Sequence, residues 1–142
     1  MKKPYSLTIK NLEKGWHDKD EVLIHAAFQL LTDFMELEQP QKIIVWSRDA
    51  GHRKAWKEMM SLYRWWKKER PVRDKKYRKI KVPKMISRKT DDNCYTLEPV
   101  DKVAYKKYAA IDRKRFKDEE KWFKDDQKNL HRLIEIRQYL WT

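Results

Sequence analysis

Residues 102–142 contain neither glycine nor proline. Because these two residues are the strongest breakers of helices, so long an uninterrupted stretch constrains the fold more than any other feature of the chain. Asp101 stands where a helix N-cap is expected, and the apolar side chains recur at one helical phase, so we predict one helix of about 40 residues. Charged side chains interrupt this apolar stripe at its middle, so we expect the helix to extend past the core or to bend near Asp125. The stripe consists of Tyr105, Tyr108, Phe116, Phe123, Leu130, Leu133, Ile134, Leu140 and Trp141.

Residues 22–39 predict a second helix, central and largely buried. Asp18 and Glu21 have the spacing of a capping box, and Pro40 follows the segment. On a helical projection the apolar residues cover about two-thirds of the circumference. Those residues are Val22, Leu23, Ile24, Ala26, Ala27, Phe28, Leu30, Leu31, Phe34, Met35 and Leu37. The remaining strip, expected to face solvent, holds Glu21, His25, Gln29, Thr32 and Glu36.

A third helix is predicted from Ser47 or Asp49 to Arg70, where Pro71 stops it. One face is apolar and includes Trp66. The opposite face is basic and free of acids, with Ser61 as its only other side chain; its cations are Arg53, Lys54, Lys57, Arg64 and Lys68. Trp65 projects away from the apolar face, so we expect Trp66 in the core and Trp65 exposed.

Residues 71–100 show no sustained periodicity, and we predict a basic, irregular and mobile arm. The alternation in residues 79–82 would suit an edge strand, but Pro83 limits any pairing. The expected architecture is therefore all-α, a three-helix body with a long C-terminal helix and this arm between the second and third helices. Seven Trp and seven Tyr favour an ordered chain, and we expect one domain over 1–142.

The positive charge is concentrated in one part of the sequence. The chain carries +13 in total, and residues 61–90 alone carry +11. A localised basic excess is typical of a protein that binds a polyanion, although a charge run can also serve only solubility. We predict phosphate contacts from the basic helix face and arm, with Trp65 and Tyr77 as rings on which bases stack. The predicted nucleic-acid-binding residues are Arg53, Lys54, Lys57, Arg64, Trp65, Lys68, Arg73, Lys75, Lys76, Tyr77, Arg78, Lys79 and Lys81.

Composition excludes several classes of protein. Gly15 and Gly51 are the only glycines, whereas a P-loop and a dinucleotide-binding fingerprint each need several. One cysteine, Cys94, excludes a disulfide framework and a cysteine-rich zinc module. No run of 18 apolar residues and no signal peptide is visible, so we expect a cytoplasmic protein without membrane contact. No cofactor and no metal site is predicted.

The sequence contains no strong arrangement of catalytic or metal-binding residues. Glu21 and His25 are four apart, only half of a metal site. His52 could meet Asp112, Glu119 or Asp126 as an acid–base pair, but a structural histidine or a salt bridge is the simpler interpretation. Cys94 lies beside Asp91 and Asp92, which disfavour a thiolate. We therefore predict a protein that is not an enzyme.

Three phrases, HAAFQLLTDFMELE, SLYRWWKKERP and LIEIRQYLWT, resemble small basic proteins encoded by tailed bacteriophages. The resemblance implies a phage product that acts in the cytoplasm of a bacterial host or is packaged in the virion, and it implies no active site. Our hypothesis is a non-catalytic nucleic-acid-binding protein. The alternative is a phage factor that binds an acidic protein, either as an inhibitor of a host nucleic-acid-handling protein or as a structural component of the virion.

Overall fold

A computed structural model describes residues 6–141. Within these residues there are three α-helices and two β-strands: α1 (Lys19–Asp33), α2 (Ala50–Arg64), β1 (Met85–Lys89), β2 (Tyr95–Pro99) and α3 (Lys102–Glu135). A π-helical turn follows each of the first two helices directly; we call Phe34–Glu38 the first π-turn and Trp65–Glu69 the second π-turn. Single 3-10 turns cover Pro40–Lys42, Arg70–Val72 and Arg137–Tyr139.

The described residues form two compact units. The first comprises 6–72 and 125–141, and the second comprises 73–124. The first unit therefore holds α1, α2 and the end of α3, and the second holds the β-strands and the start of α3. The single domain over 1–142 stays a prediction.

Side-chain caps confirm two predicted helix starts. Asp49 accepts a hydrogen bond from the backbone N–H of His52 at 2.8 Å and so caps α2. Asp101 accepts from the backbone N–H groups of Val103 and Ala104 at 3.0 and 3.1 Å and caps α3. These bonds satisfy donors that would otherwise have no partner within the helix. The long C-terminal helix is also confirmed, and it passes Asp125 without a break.

The all-α fold class is wrong, because the predicted irregular arm contains a β-hairpin. β1 and β2 pair antiparallel, with Met85 opposite Pro99 and Lys89 opposite Tyr95. The reversal is closed by a hydrogen bond from the Thr90 N–H to the Cys94 carbonyl at 2.8 Å, and Asn93 adopts the left-handed conformation with a φ of 60°. Asparagine tolerates that region better than most residues, which makes so tight a reversal possible.

The face of α1 that is buried differs from the predicted one, as if the helix were rotated about its own axis. The strip expected to face solvent is buried at His25, Gln29 and Thr32, whereas Leu23 and Leu30 are exposed. The segment before α1 explains the polar strip, since the Lys10 N–H donates to Gln29 Oε1 at 3.1 Å and gives that buried amide a partner. The Thr32 hydroxyl donates to the Phe28 carbonyl at 2.8 Å. Both polar groups can therefore be buried without a lost hydrogen bond.

The core of the first unit is formed by α1, α2, the two π-turns and the end of α3. Its buried side chains are Ile24, Phe28, Leu31, Phe34, Trp46, Ala55, Met59, Leu62, Trp66, Leu133 and Ile136. Two ion pairs hold the end of α3 within this unit. Arg132 makes a bidentate pair with Glu58 at 2.8 and 2.9 Å, and Arg70 makes one with Asp126 at 3.1 and 2.9 Å.

The apolar stripe predicted along α3 is mostly exposed. Phe116, Phe123 and Ile134 each keep more than half of their surface in solvent. Only Asn129 and Leu133 are buried among the described residues of this helix. The apolar pattern therefore identified a helix correctly but did not identify a buried face.

Candidate nucleic-acid interface

The basic face of α2 is exposed as one surface. Its five cations all lie in solvent: Arg53, Lys54, Lys57 and Arg64 on α2, and Lys68 on the second π-turn that continues it. Arg53 donates to the Ser47 carbonyl at 3.1 Å, and Arg64 stands 3.9 Å from Glu69, a loose and exposed ion pair. Within residues 6–141, Lys54, Lys57 and Lys68 form no ion pair. Their binding role stays a prediction.

Part of this face forms a groove, which we call the α2 groove. It has a volume of about 670 Å³ and is lined by Lys57, Met60, Ser61, Tyr63, Arg64, Lys67 and Lys68. Four of these seven side chains are cationic and none is acidic. Met60 and Tyr63 give the groove an apolar wall, so it can receive an anion and a flat apolar group together.

Lys67 is a groove residue that the sequence did not single out. On a regular helical projection it falls within the apolar face, between Trp56 and Met60 and one turn after Tyr63. Lys67 belongs to the second π-turn, which widens the helix at this point. No pattern in the sequence predicted that turn. Lys67 Nζ stands 3.1 Å from Glu36 Oε1.

Glu36 of the first π-turn fixes two of the groove side chains. It accepts a hydrogen bond from the Tyr63 hydroxyl at 2.7 Å and pairs with Lys67. The hydrogen bond to Glu36, together with burial, raises the pKa of Tyr63 to about 12. The same bond, reinforced by Lys67, lowers the pKa of Glu36. Tyr63 is therefore neutral, and its ring is held in place as a wall of the groove.

Glu58, an acid beside the basic face, is paired within the protein. Glu58 is bound by Arg132, and that hydrogen-bonded pair lowers the pKa of Glu58. Arg132 also donates to Ser61 Oγ at 3.2 Å. A phosphate that approaches the face therefore meets an internally paired carboxylate.

The ring of Trp65 is less exposed than predicted. Its ring is half-buried, with its centroid 5.3 Å from that of Phe28, and the ring of Trp66 stacks on the same phenyl group at 4.7 Å. The π-turn changes the angle between consecutive residues, so both neighbours reach Phe28. The expectation that Trp65 is exposed is wrong, and its ring already has an intramolecular partner.

Tyr77, in the second unit, is also unsuited to stacking on a base. It is buried, its hydroxyl donates to Asp118, and its ring lies 6.1 Å from that of Trp122. Base stacking needs an open ring face, which a buried ring does not offer. The expectation that Tyr77 offers such a face is therefore wrong.

The predicted basic residues of the second unit, all within residues 73–81, divide into paired and open ones. Arg73 lies with its guanidinium 5.4 Å from the Trp122 ring, Lys76 pairs with Asp118 at 2.9 Å, and Arg78 pairs with Asp74. Three others are exposed and form no ion pair within residues 6–141: Lys75, Lys79 and Lys81. These three are the cations of this segment best placed to meet a ligand.

The weak catalytic and metal candidates take structural roles. His52 Nδ1 stands 2.9 Å from Asp49 Oδ2, which makes it a partner of its own helix cap. The hydrogen bond from the His52 backbone N–H, followed by this side-chain bond, lowers the pKa of Asp49 to about 2. His25 Nε2 is 4.0 Å from Glu21. Across residues 6–141, no group of three His, Cys, Asp or Glu side chains is placed to hold a metal ion.

Comparison with known proteins adds no family. No family model matches the chain, and neither does any curated protein or solved structure. None of the helices in residues 6–141 combines the length and apolarity needed to cross a bilayer.

Proposed function

We propose that this protein is a non-catalytic nucleic-acid-binding protein whose principal contact surface is the α2 groove with the basic face around it. The observation that supports this most is the composition of the groove, four cations beside an apolar wall with no acid among the lining residues. Cations that line one groove can each contact a phosphate, and each contact releases counterions from the nucleic acid. In this proposal the protein acts in the cytoplasm of a bacterial host or in the virion, as the resemblance to phage proteins implies.

A single strand suits this surface better than a duplex. Met60 and Tyr63 present apolar surface at the level of the cations, and a base can use it only when it is unstacked from its neighbours. Neither Trp65 nor Tyr77 is part of this contact, since each packs within its own unit. Lys75, Lys79 and Lys81 form a second basic surface that we assign a supporting role.

The test is a salt titration of binding. The triple variant Lys57→Gln/Arg64→Gln/Lys68→Gln and the wild type are compared by fluorescence anisotropy on labelled single strands of mixed sequence, and on a duplex. We expect weaker binding by the variant on every sequence, and a slope of log affinity against log salt flatter by about 0.7 per lost single-strand contact. All three side chains are exposed, so the melting temperature should not change.

The matched control is Lys106→Gln/Lys107→Gln/Lys121→Gln, which removes the same charge from exposed positions of α3. If both triple variants lose affinity equally, binding follows net charge and the α2 groove is not the site. A third variant, Lys75→Gln/Lys79→Gln/Lys81→Gln, tests the second unit. If only this variant loses affinity for nucleic acid, the binding site lies in the second unit. Absence of binding by the wild type at low salt would reject the proposal and favour the acidic protein partner.

A further inference from the structure

α1 presents a second surface, which the proposed function does not use. Leu23 and Leu30 are seven residues apart on the outer face of this helix, and they are 60% and 54% exposed. Ala26 and Ala27 lie between them and are half-buried. At 3.6 residues per turn, all four side chains fall on one side of the helix. We call these four residues the α1 seam.

The sequence of the seam is palindromic, so its residue types follow the same order from either end. The order is Leu, two other residues, Ala, Ala, two other residues, Leu, with its midpoint between Ala26 and Ala27. When two copies of such a helix lie antiparallel about that midpoint, each Leu23 meets the partner's Leu30, and small alanines face each other at the centre. Small residues let two helices approach closely while the leucines fill the space on either side.

The charges around the seam fit the same arrangement. On a helical projection Lys19, at the start of α1, and Asp33, at its end, both lie on the Ala26 side of the seam's midline. The Asp33 carboxylate also accepts a hydrogen bond from Gln29 Nε2 at 2.9 Å. When the two helices lie antiparallel about the midpoint between residues 26 and 27, Lys19 of one copy and Asp33 of the other are at nearly the same height along the helices. The offset between them is one residue. A parallel arrangement would instead place Lys19 beside Lys19 and Asp33 beside Asp33, and it would align the helix dipoles unfavourably.

The rest of the chain favours this surface over others for self-association. The protein carries +13, so most of its surface repels a second copy. Residues 19–40 differ, with a net charge of −4, and residues 91–104, with −3, are also net negative. Two exposed apolar side chains lie just beyond the ends of α1, Trp16 before it and Leu37 after it.

We propose that two copies of this protein associate through the α1 seam as an antiparallel, two-fold symmetric dimer. An interface of this kind is isologous, so the same residues serve both subunits and no open polymer forms. Because one helix face supplies the contact, the area is at the low end for specific complexes, and association should be reversible. The proposal does not rest on nucleic-acid binding and is tested without nucleic acid.

The first experiment is sedimentation equilibrium from about 1 to 500 μM, a range suited to a small interface. We expect the wild type to pass from monomer to dimer and Leu30→Glu to remain a monomer throughout. The control Leu97→Glu makes the same change at a residue of β2 that is 72% exposed, and it should associate like the wild type. A circular dichroism melt confirms that each variant is folded, as expected for substitutions of exposed leucines.

A wild type that stays monomeric over the whole range would overturn the proposal. So would a Leu30→Glu variant that dimerises as well as the wild type, or a Leu97→Glu variant that dissociates with it. Assembly beyond a dimer would contradict the two-fold arrangement.

The second experiment tests the orientation by oxidative cross-linking in a Cys94→Ser background. Ala26→Cys lies next to the two-fold axis and should form a disulfide with its own copy. Lys19→Cys should not, since the two thiols would be about 22 Å apart along the helices at 1.5 Å per residue. Efficient cross-linking of Lys19→Cys together with poor cross-linking of Ala26→Cys would replace the antiparallel arrangement with a different one.

Discussion

The hydroxyl of Tyr63 donates a hydrogen bond to the carboxylate of Glu36 at 2.7 Å, although the two residues are 27 positions apart in sequence. Glu36 belongs to the first π-turn, and Tyr63 is in the last turn of α2, directly before the second π-turn. The contact therefore ties the two widened helix ends together. It also sets the position of an aromatic wall of the α2 groove.

Removal of this hydroxyl tests how much the contact stabilises the first unit. Tyr63→Phe keeps the ring and loses the bond, so the free energy of unfolding should fall by about 0.5 to 1.5 kcal/mol, the usual net value of a hydrogen bond. Urea denaturation of the variant against the wild type measures it. In Glu36→Gln the amide oxygen still accepts from Tyr63, so that variant should lose less stability than Glu36→Ala. Equal losses in the two Glu36 variants would show that the hydrogen bond contributes nothing.

Two adjacent leucines of α1 should respond oppositely to truncation. Leu31 is fully buried, and Leu31→Ala should cost about 2 to 5 kcal/mol through lost contacts and a cavity. Leu30 is exposed, and Leu30→Ala should stay within about 0.5 kcal/mol of the wild type. Both are measured by chemical denaturation at a protein concentration where the chain is monomeric. A large loss in Leu30→Ala would contradict the observed rotation of α1.

That rotation shows which part of the fold was not predictable from periodicity. The apolar residues of α1 cover most of the helix, so its pattern allows several buried faces. Two contacts determine which face is buried. The Lys10 N–H, in the segment before the helix, donates to Gln29, and the ring of Trp66 packs edge-on against the ring of His25 at 4.9 Å. Both are long-range contacts that no local pattern encodes.

The helices themselves were predictable because their breakers, and for α2 and α3 their caps, are local; the capping box expected at Asp18 and Glu21 does not form a side-chain hydrogen bond at the start of α1. Asp49 and Asp101 begin α2 and α3 as expected, and the absence of Gly and Pro after Asp101 matches one long helix. The hairpin was not predicted, because the alternation in residues 79–82 lies outside both of its strands. The better signal was the turn-forming cluster in residues 91–93 between two short β-prone segments.

For the candidate site, the basic face was predictable and the aromatic partners were not. Cations spaced at helical intervals stay on one face as long as the helix is regular, as α2 is as far as Arg64. Trp65 lies just beyond that point, in the second π-turn, where the phase changes. Tyr77 is buried because Asp118 supplies a partner for its hydroxyl, 41 residues further along.

The two tryptophans of the second π-turn should both prove structural. Trp66 is almost fully buried, so Trp66→Ala should cost about 3 to 5 kcal/mol. Trp65→Ala should cost clearly more than the 0.5 kcal/mol or so that bounds an ordinary surface substitution, since its ring packs on Phe28. Thermal melts of the two variants measure this. The exposed Trp16 provides a control, and Trp16→Ala in the monomer should melt like the wild type.

Acidification should destabilise the first unit through His25. Burial, and then the charge of Arg70, lower the pKa of His25 below 6.5, while Glu21 and Asp126 oppose this and His17 adds to it. The folded protein therefore binds that proton less readily than the unfolded chain does. The stability from the neutral imidazole is fully present above pH 6.5 and is lost as the pH falls towards the lowered folded-state pKa.

Urea denaturation between about pH 5 and 7.5 measures this loss, in a window above the ordinary range of carboxylates. His25→Gln should be less stable than the wild type at the upper pH and should show a flatter decline below pH 6.5. The control His131→Gln changes an exposed histidine of α3 and should keep the wild-type slope. A wild-type slope in His25→Gln would assign the effect to another group.

The exposed apolar side chains of α1, α3 and β2 have a thermodynamic consequence for the monomer. Side chains such as Leu23, Phe116, Phe123 and Leu97 are in water before unfolding as well as after it. The heat capacity change on unfolding should therefore fall below the roughly 12 to 15 cal/mol/K per residue of ordinary globular chains. A smaller heat capacity change gives a flatter curve of stability against temperature. For the same maximum stability, the protein would then stay folded further into both heat and cold.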